Sequence, residues 1–190
     1  MNTNNIGMHE IFTIPVFSTK TSLDNKKILE FCLEQERSSP GRIVTNSGGW
    51  QSNEIKNPPP ELKDLFDLII DSSKHVCNFL QINHLQKIDS AWININRYRD
   101  FNWTHSHPFG MLSGVYYVKT PQYCGDIVFE NLHFESVYLS IQQQNKYNSK
   151  ACLMPSEEGV LYIFPSWLFH KVIPNMNMDE ERVSISFNIQ

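Results

Sequence analysis

The sequence predicts a mainly β protein: a β-sandwich or jelly roll with two helices packed against it ahead of the strands. Three observations predict it. Apolar residues at helical spacing dominate the first part of the chain, period-two alternation takes over near Lys87, and turn residues then recur at short intervals. The reading is one domain over 1–190, with helical support at about 22–81 and a β core at about 87–190.

Glu10 to Ser18 alternates loosely around Ile11, Ile14, Val16 and Phe17 and reads as an opening strand. Ser22 can cap a helix carrying Leu23, Ile28, Leu29 and Phe31 to Leu33, which Ser38-Ser39-Pro40-Gly41 ends. Thr45 to Ser52, with Gly48-Gly49, is a loop that fixes the place of Trp50. Pro58-Pro59-Pro60 opens the second helix, where Leu62, Leu65, Phe66, Ile69, Val76 and Leu80 form one stripe opposite Asp64, Asp67, Asp71 and Lys74. That stripe needs a flat apolar partner, and the outer face of a sheet supplies one.

In Ile88 to Tyr98, Trp92, Asn94 and Asn96 share one face and Ile93 and Ile95 the other. Further strands are expected at Met111 to Lys119, Asp126 to Glu130, Ser136 to Ile141, Gly159 to Phe164, Phe169 to Ile173 and Arg182 to Ile189. The segments between them, His107-Pro108, Pro121 to Gly125, Asn145 to Lys150, Pro155 to Gly159 and Pro174 to Glu181, carry turn chemistry.

Composition narrows the function. The 41% hydrophobic and 19% charged residues are ordinary for a globular chain, and a net charge of −4 offers no basic surface for a phosphate backbone. Nucleic acid is not expected as a direct ligand. The four cysteines (Cys32, Cys77, Cys124, Cys152) form no CxxC pair, which argues against a sulfur-ligated zinc site and for a reducing, cytoplasmic compartment. The first seven residues lack a basic n-region and an apolar core, so no signal peptide is expected, and no apolar run reaches the roughly 20 residues of a membrane helix.

Three clusters carry chemistry. In Trp103-Thr-His105-Ser-His107-Pro108, two histidines at i and i+2 on a strand would point to one face, and the proline puts them at a strand end. Two surface histidines beside a turn would look the same. His170 stands among bulky apolar residues in Phe164-Pro-Ser-Trp-Leu-Phe-His170, where a core histidine bonded to a carbonyl is the plain alternative. Arg182-Val-Ser184-Ile-Ser186 puts a guanidinium and hydroxyls on one face, suited to a carboxylate or, equally, to solvent.

The ordered set is more specific than its parts. His105-x-His107, Leu112-Ser-Gly-Val-Tyr-Tyr-Val118, Gly125-Asp-Ile-Val-Phe129, Phe164-Pro-x-x-x-x-His170 and Arg182-x-Ser184 resemble the iron(II)- and 2-oxoglutarate-dependent oxygenases. The likeness is greatest to a bacterial and phage subgroup, and Gly48-Gly49-Trp50-Gln51-Ser52 shares it. It runs from about Phe12 to the C-terminus. The resemblance implies a double-stranded β-helix, a cupin-like jelly roll with the N-terminal helices packed on the major sheet. It also implies a dioxygenase with Fe(II), 2-oxoglutarate as cosubstrate and O2, most simply a hydroxylase releasing succinate and CO2.

Carried over residue by residue, His105 and His170 resemble metal ligands, and Arg182 and Ser184 the pair that grips the far carboxylate of 2-oxoglutarate. Tyr117 resembles the strand tyrosine that adds a hydrogen bond there, with Tyr116 pointing away. Asn96, Tyr98 and Trp167 are candidates for the pocket wall. Trp50, Trp92, Trp103 and Phe109 can line the cavity or serve simply as core. One departure from the family pattern stands out: His107 fills the usual acidic ligand position. Either His107 is the third ligand, or Asp126 or Glu130 supplies a carboxylate, or water or halide fills the position. The resemblance leaves open a small-molecule or peptidyl substrate, a homodimer, and the host cytoplasm if the gene is phage-borne. Two other readings remain at this stage: a trihistidine cupin-like enzyme without 2-oxoglutarate, and a jelly-roll binding module without catalysis.

Overall fold

The computed structural model describes residues 7–83, 87–108, 110–132 and 142–190. The expected strand Ser136 to Ile141, together with Phe109, His84 and His133, lies outside the described residues.

Two antiparallel sheets face each other. Strand β1 (Phe17–Lys20), helix α1 (Asn25–Ser38), the short strands β2 (Asn46–Ser47) and β3 (Trp50–Gln51), and helix α2 (Lys63–Leu80) come first. The rest is strand: β4 (Ile88–Asn96), β5 (Phe101–His105), β6 (Leu112–Lys119), β7 (Ile127–Glu130), β8 (Ala151–Met154), β9 (Val160–Pro165), β10 (His170–Val172) and β11 (Arg182–Ile189). The major sheet runs β1-β9-β6-β11-β4-β3 and the minor sheet β2-β5-β10-β7-β8. Apart from the paired neighbours β3–β4 and β7–β8, successive strands alternate between the sheets, which is the jelly-roll arrangement expected from the sequence.

The alternation in β4, β6, β9 and β11 explains why the major sheet is buried on both faces. Ile93, Ile95, Val183, Ile185 and Phe187 point outward, are completely buried, and form one cluster with Leu65, Phe66 and Ile69 of α2 and Ile28 and Cys32 of α1. Each such side chain contributes about 1.5–3 kcal/mol by leaving water. The inward residues Val115, Tyr117, Tyr162 and Phe164 meet Ile127 and Phe129 of the minor sheet in a second cluster. One end of the space between the sheets stays polar, and the site lies there.

Several local expectations shift. The opening strand forms only at Phe17–Lys20, paired with β9, while Ile11, Phe12 and Ile14 are exposed. Asp24, not Ser22, caps α1: its carboxylate accepts from the Lys27 N–H at 3.2 Å. The proline run makes a 3-10 turn at Pro60–Leu62, and the α-helix begins at Lys63. Strand β8 falls between two turn segments, in a stretch where no strand was expected. Its residues are mostly exposed, so it carries no burial pattern to betray it. Gly48 and Gly49 both have positive φ, +68° and +64°, and the turn they make places Trp50 beside β4, where its indole donates to the Ser39 carbonyl at 2.9 Å.

Candidate metal centre

His105, His107 and His170 come together. One ring nitrogen from each lies within 4.8 Å of the others, and ring centroids are 4.4 Å (His105–His170), 5.1 Å (His105–His107) and 5.3 Å (His107–His170) apart. Different elements deliver them. His105 and His170 are directly opposite each other on β5 and β10. Between the pairs His170↔His105 and Val172↔Asn102 strand β5 holds one residue more than β10, a β-bulge. The bulge turns both Asn102 and His105 inward, although they are three residues apart, and leaves Trp103 62% exposed.

His107 reaches the cluster by another route. Strand β5 ends at His105, so the two histidines do not converge through strand alternation as their spacing suggests. His107 stands in the following turn, where its backbone N–H donates to the Ser166 carbonyl at 2.8 Å and its ring lies 5.6 Å from that of Trp92.

Backbone carbonyls fix two of the rings. His105 Nδ1–H donates to the Trp103 carbonyl at 2.7 Å and His170 Nδ1–H to the Leu168 carbonyl at 2.9 Å. A carbonyl can only accept, so the proton sits on Nδ1 and Nε2 keeps its lone pair for the cluster. Burial lowers all three pKa values: His105 below its ordinary range, His107 to about 4 and His170 to about 3. Three neutral imidazoles sharing one point suit a transition-metal dication.

Beside them a cavity of about 500 Å³, counting its open mouth, runs between the sheets. Strands β4 and β11 line it in rungs: Arg182 opposite Asn96, Ser184 opposite Asn94, Ser186 opposite Trp92. Arg182 lies at the first of these rungs, 1% exposed. Its Nη1 donates to the carbonyls of Cys124 (2.5 Å), Gly125 (3.1 Å) and Ile173 (3.3 Å), while Nη2 is buried with no partner. Burial pulls its pKa down, yet a guanidinium stays charged in proteins, so the strain is a demand for an anion. Tyr117, also 1% exposed, turns its hydroxyl into the same cavity without a partner, and burial pushes the phenol up to about 12. The Ser156 hydroxyl is close enough to act on that phenol but sits outside hydrogen-bond geometry and is itself buried and unpaired. No carboxylate lines the cavity among the described residues. Unsatisfied donors around a guanidinium fit a ligand rich in carboxylate oxygens.

Other expected residues lie elsewhere. Tyr98 is not in the cavity wall: β4 ends at Asn96, and Tyr98 sits in the turn beyond with Arg99 over its ring at 5.0 Å. Trp167 is also absent from the wall, 54% exposed in the turn between β9 and β10. Trp50 belongs to the helix-side core. Asp126 is occupied as an acceptor for the Ser156 N–H at 2.8 Å, and Glu130 pairs with Lys171 at 2.6 Å. Neither belongs to the histidine cluster. Tyr116 points away as expected, donating to Asn25 at 2.5 Å. Asn102 and Thr45 line the cavity without having been singled out in the sequence, because the bulge that turns Asn102 inward has no sequence signature.

A family model described as "Putative 2OG-Fe(II) oxygenase" matches residues 90–188, more than half of the chain. The chain belongs to this oxygenase family. It is accordingly an oxidoreductase of the kind that works with iron(II), 2-oxoglutarate and O2, and the histidine cluster and unsatisfied arginine suit those groups. No curated protein matches this oxygenase in sequence. Among solved structures, a prolyl-4-hydroxylase from Pseudomonas putida superposes with a TM-score of 0.69 at 13% identity, covering 94% of this chain and 93% of the other. A Trichoplax adhaerens prolyl hydroxylase bound to a hypoxia inducible factor peptide fragment gives 0.64 at 13%, covering 92% and 82%. The epimerase SnoN in complex with Fe3+, alpha ketoglutarate and nogalamycin RO gives 0.65 at 12%, covering 93% and 79%. At such identities the likeness is one of fold. No helix among the described residues is long and apolar enough to cross a membrane.

Proposed function

We propose that this oxygenase hydroxylates a peptidyl or small-molecule substrate, with His105, His107 and His170 as its metal ligands and Arg182, Ser184 and Tyr117 as the hold on 2-oxoglutarate. The observation that carries it is the pairing of three convergent neutral imidazoles with a buried guanidinium whose second nitrogen has no partner. When bound, the iron and the cosubstrate supply the oxidising chemistry.

The protein's part is positional. His105 and His170 present Nε2 because their Nδ1–H groups are tied to carbonyls, so those lone pairs are already aimed. Arg182 offers its free Nη2–H, and Tyr117 its hydroxyl, to the far carboxylate; Ser184, on the same strand face, adds a third donor. Burial of this rung excludes water from the charge pair and strengthens it. Trp92 and Ser186, at the other end of the three rungs, border the space left for substrate. Prolyl hydroxylases share the fold, as does an epimerase, so hydroxylation is one of the reactions that this fold carries. Asp126, held by the Ser156 backbone, is a poorer ligand candidate than His107.

The test is succinate release from 2-oxoglutarate by the iron-loaded protein. Arg182→Ala should lower it at least about 30-fold, since removing one partner of a buried charge pair costs about 2–5 kcal/mol or more. Undiminished turnover in that variant would refute the assignment.

A further inference from the structure

The three imidazoles are not held alike. His105 and His170 are cross-strand partners, and each ring is locked by an Nδ1–H bond to a carbonyl two residues back. His107 lies beyond the end of β5 in a turn, and among the described residues its ring makes no hydrogen bond. Among the described residues, ring contacts guide it: Trp92 at 5.6 Å, tilted 39°, and the two other histidines. Its backbone is anchored to Ser166, so the turn stays in place, while among the described residues no hydrogen bond fixes the orientation of the ring.

We propose that His107 is an exchangeable metal ligand: it leaves the ion when a small anion or carboxylate binds, while His105 and His170 stay bound. This rests on the ligand set proposed above. Two physical arguments support it. Orienting hydrogen bonds to metal-bound histidines are typically worth 10- to 100-fold in metal affinity, and among the described residues His107 has none. The donor set is also uncharged, and no carboxylate lines the cavity among the described residues, while Arg182 adds a positive charge. A dication in such surroundings attracts anions strongly, and an incoming anion displaces most readily the neutral donor that is least restrained. The exchange is a simple substitution. The imidazole lone pair leaves the metal, the anion's lone pair replaces it, and no proton or electron moves. Trp92 then gives the released ring a surface to rest on.

Cobalt(II) in place of iron provides a probe independent of turnover. Calorimetry should show one cobalt per wild-type chain, His107→Ala binding within about tenfold of wild type, and His105→Ala and His170→Ala weakened more than 100-fold. In paramagnetic NMR of the wild-type cobalt protein, two shifted imidazole N–H signals should exchange slowly with water, being hydrogen-bonded, and a third should exchange fast. Added azide should abolish the third signal and leave the first two. A loss in His107→Ala as large as in His170→Ala, three slowly exchanging signals, or three shifted signals persisting with azide bound would overturn the exchange. Failure of the wild-type protein to bind cobalt would instead overturn the ligand set itself, and the exchange with it.

Discussion

Replacing Tyr117 by phenylalanine should act with opposite sign on two quantities. In the protein without cosubstrate the hydroxyl is 1% exposed with its residue and has no hydrogen-bond partner, so it was stripped of water without compensation. Leaving a buried polar group unsatisfied costs about 1–3 kcal/mol, and removing it recovers that cost without opening a cavity, since the ring remains. The nearby Ser156 hydroxyl is also unpaired, and whatever partial attraction it provides trims the gain. A net gain of about 1 kcal/mol is expected, raising the melting temperature by about 2–4 °C for a chain of this size. With 2-oxoglutarate the sign reverses. A hydrogen bond from this phenol to a carboxylate is of the charged type, worth about 1.5–3 kcal/mol, so affinity should fall roughly 10- to 150-fold. The assays are thermal melting without ligand and calorimetric titration of 2-oxoglutarate into the metal-loaded protein. A variant that melts lower than wild type without ligand, and binds 2-oxoglutarate equally well, would refute the reasoning on both counts.

Two further outcomes follow from the same site. Gly125 has φ +83°, and a methyl group there would sit 2.2 Å from the Ile173 carbonyl and 2.9 Å from Arg182 Nη1, so Gly125→Ala should destabilise by about 1–3 kcal/mol in urea unfolding. It should also weaken 2-oxoglutarate binding, because the carbonyls that aim the guanidinium must move. Acidification should unfold the metal-free protein: burial holds His170 at about 3 and His107 at about 4, below the ordinary value of about 6.5 kept in the unfolded chain. The unfolded state then binds the extra protons, so this stability is present above pH about 6.5 and is lost as the pH falls toward 4 and 3. Urea midpoints between pH 7.5 and 5 should therefore decline, and decline less in a His107→Gln, His170→Gln double variant.

The cavity wall formed by β4 and β11 was legible in advance because it follows from local periodicity. In β11 the alternation of Arg182, Ser184 and Ser186 with Val183, Ile185 and Phe187 separates cavity from helix-side core, as the sequence implies. Asn94 and Trp92 follow from the same rule in β4. Tyr98 fails because the rule was carried past the strand's end at Asn96. Strand β8, mostly exposed, offered no alternation of burial to read.

Chain order, alternation and the three chemical clusters already determined a two-sheet fold, a polar inner face on β11, and the histidines and arginine as the residues to watch. Tertiary structure alone decided how they meet. The bulge between β5 and β10 turns His105 inward, the Ser166 carbonyl anchors the turn that carries His107, and the Cys124 and Gly125 carbonyls take one arm of Arg182 and leave the other free. Periodicity is a property of neighbours along the chain, whereas the meeting of three rings and the satisfaction of a buried donor depend on partners far away in sequence.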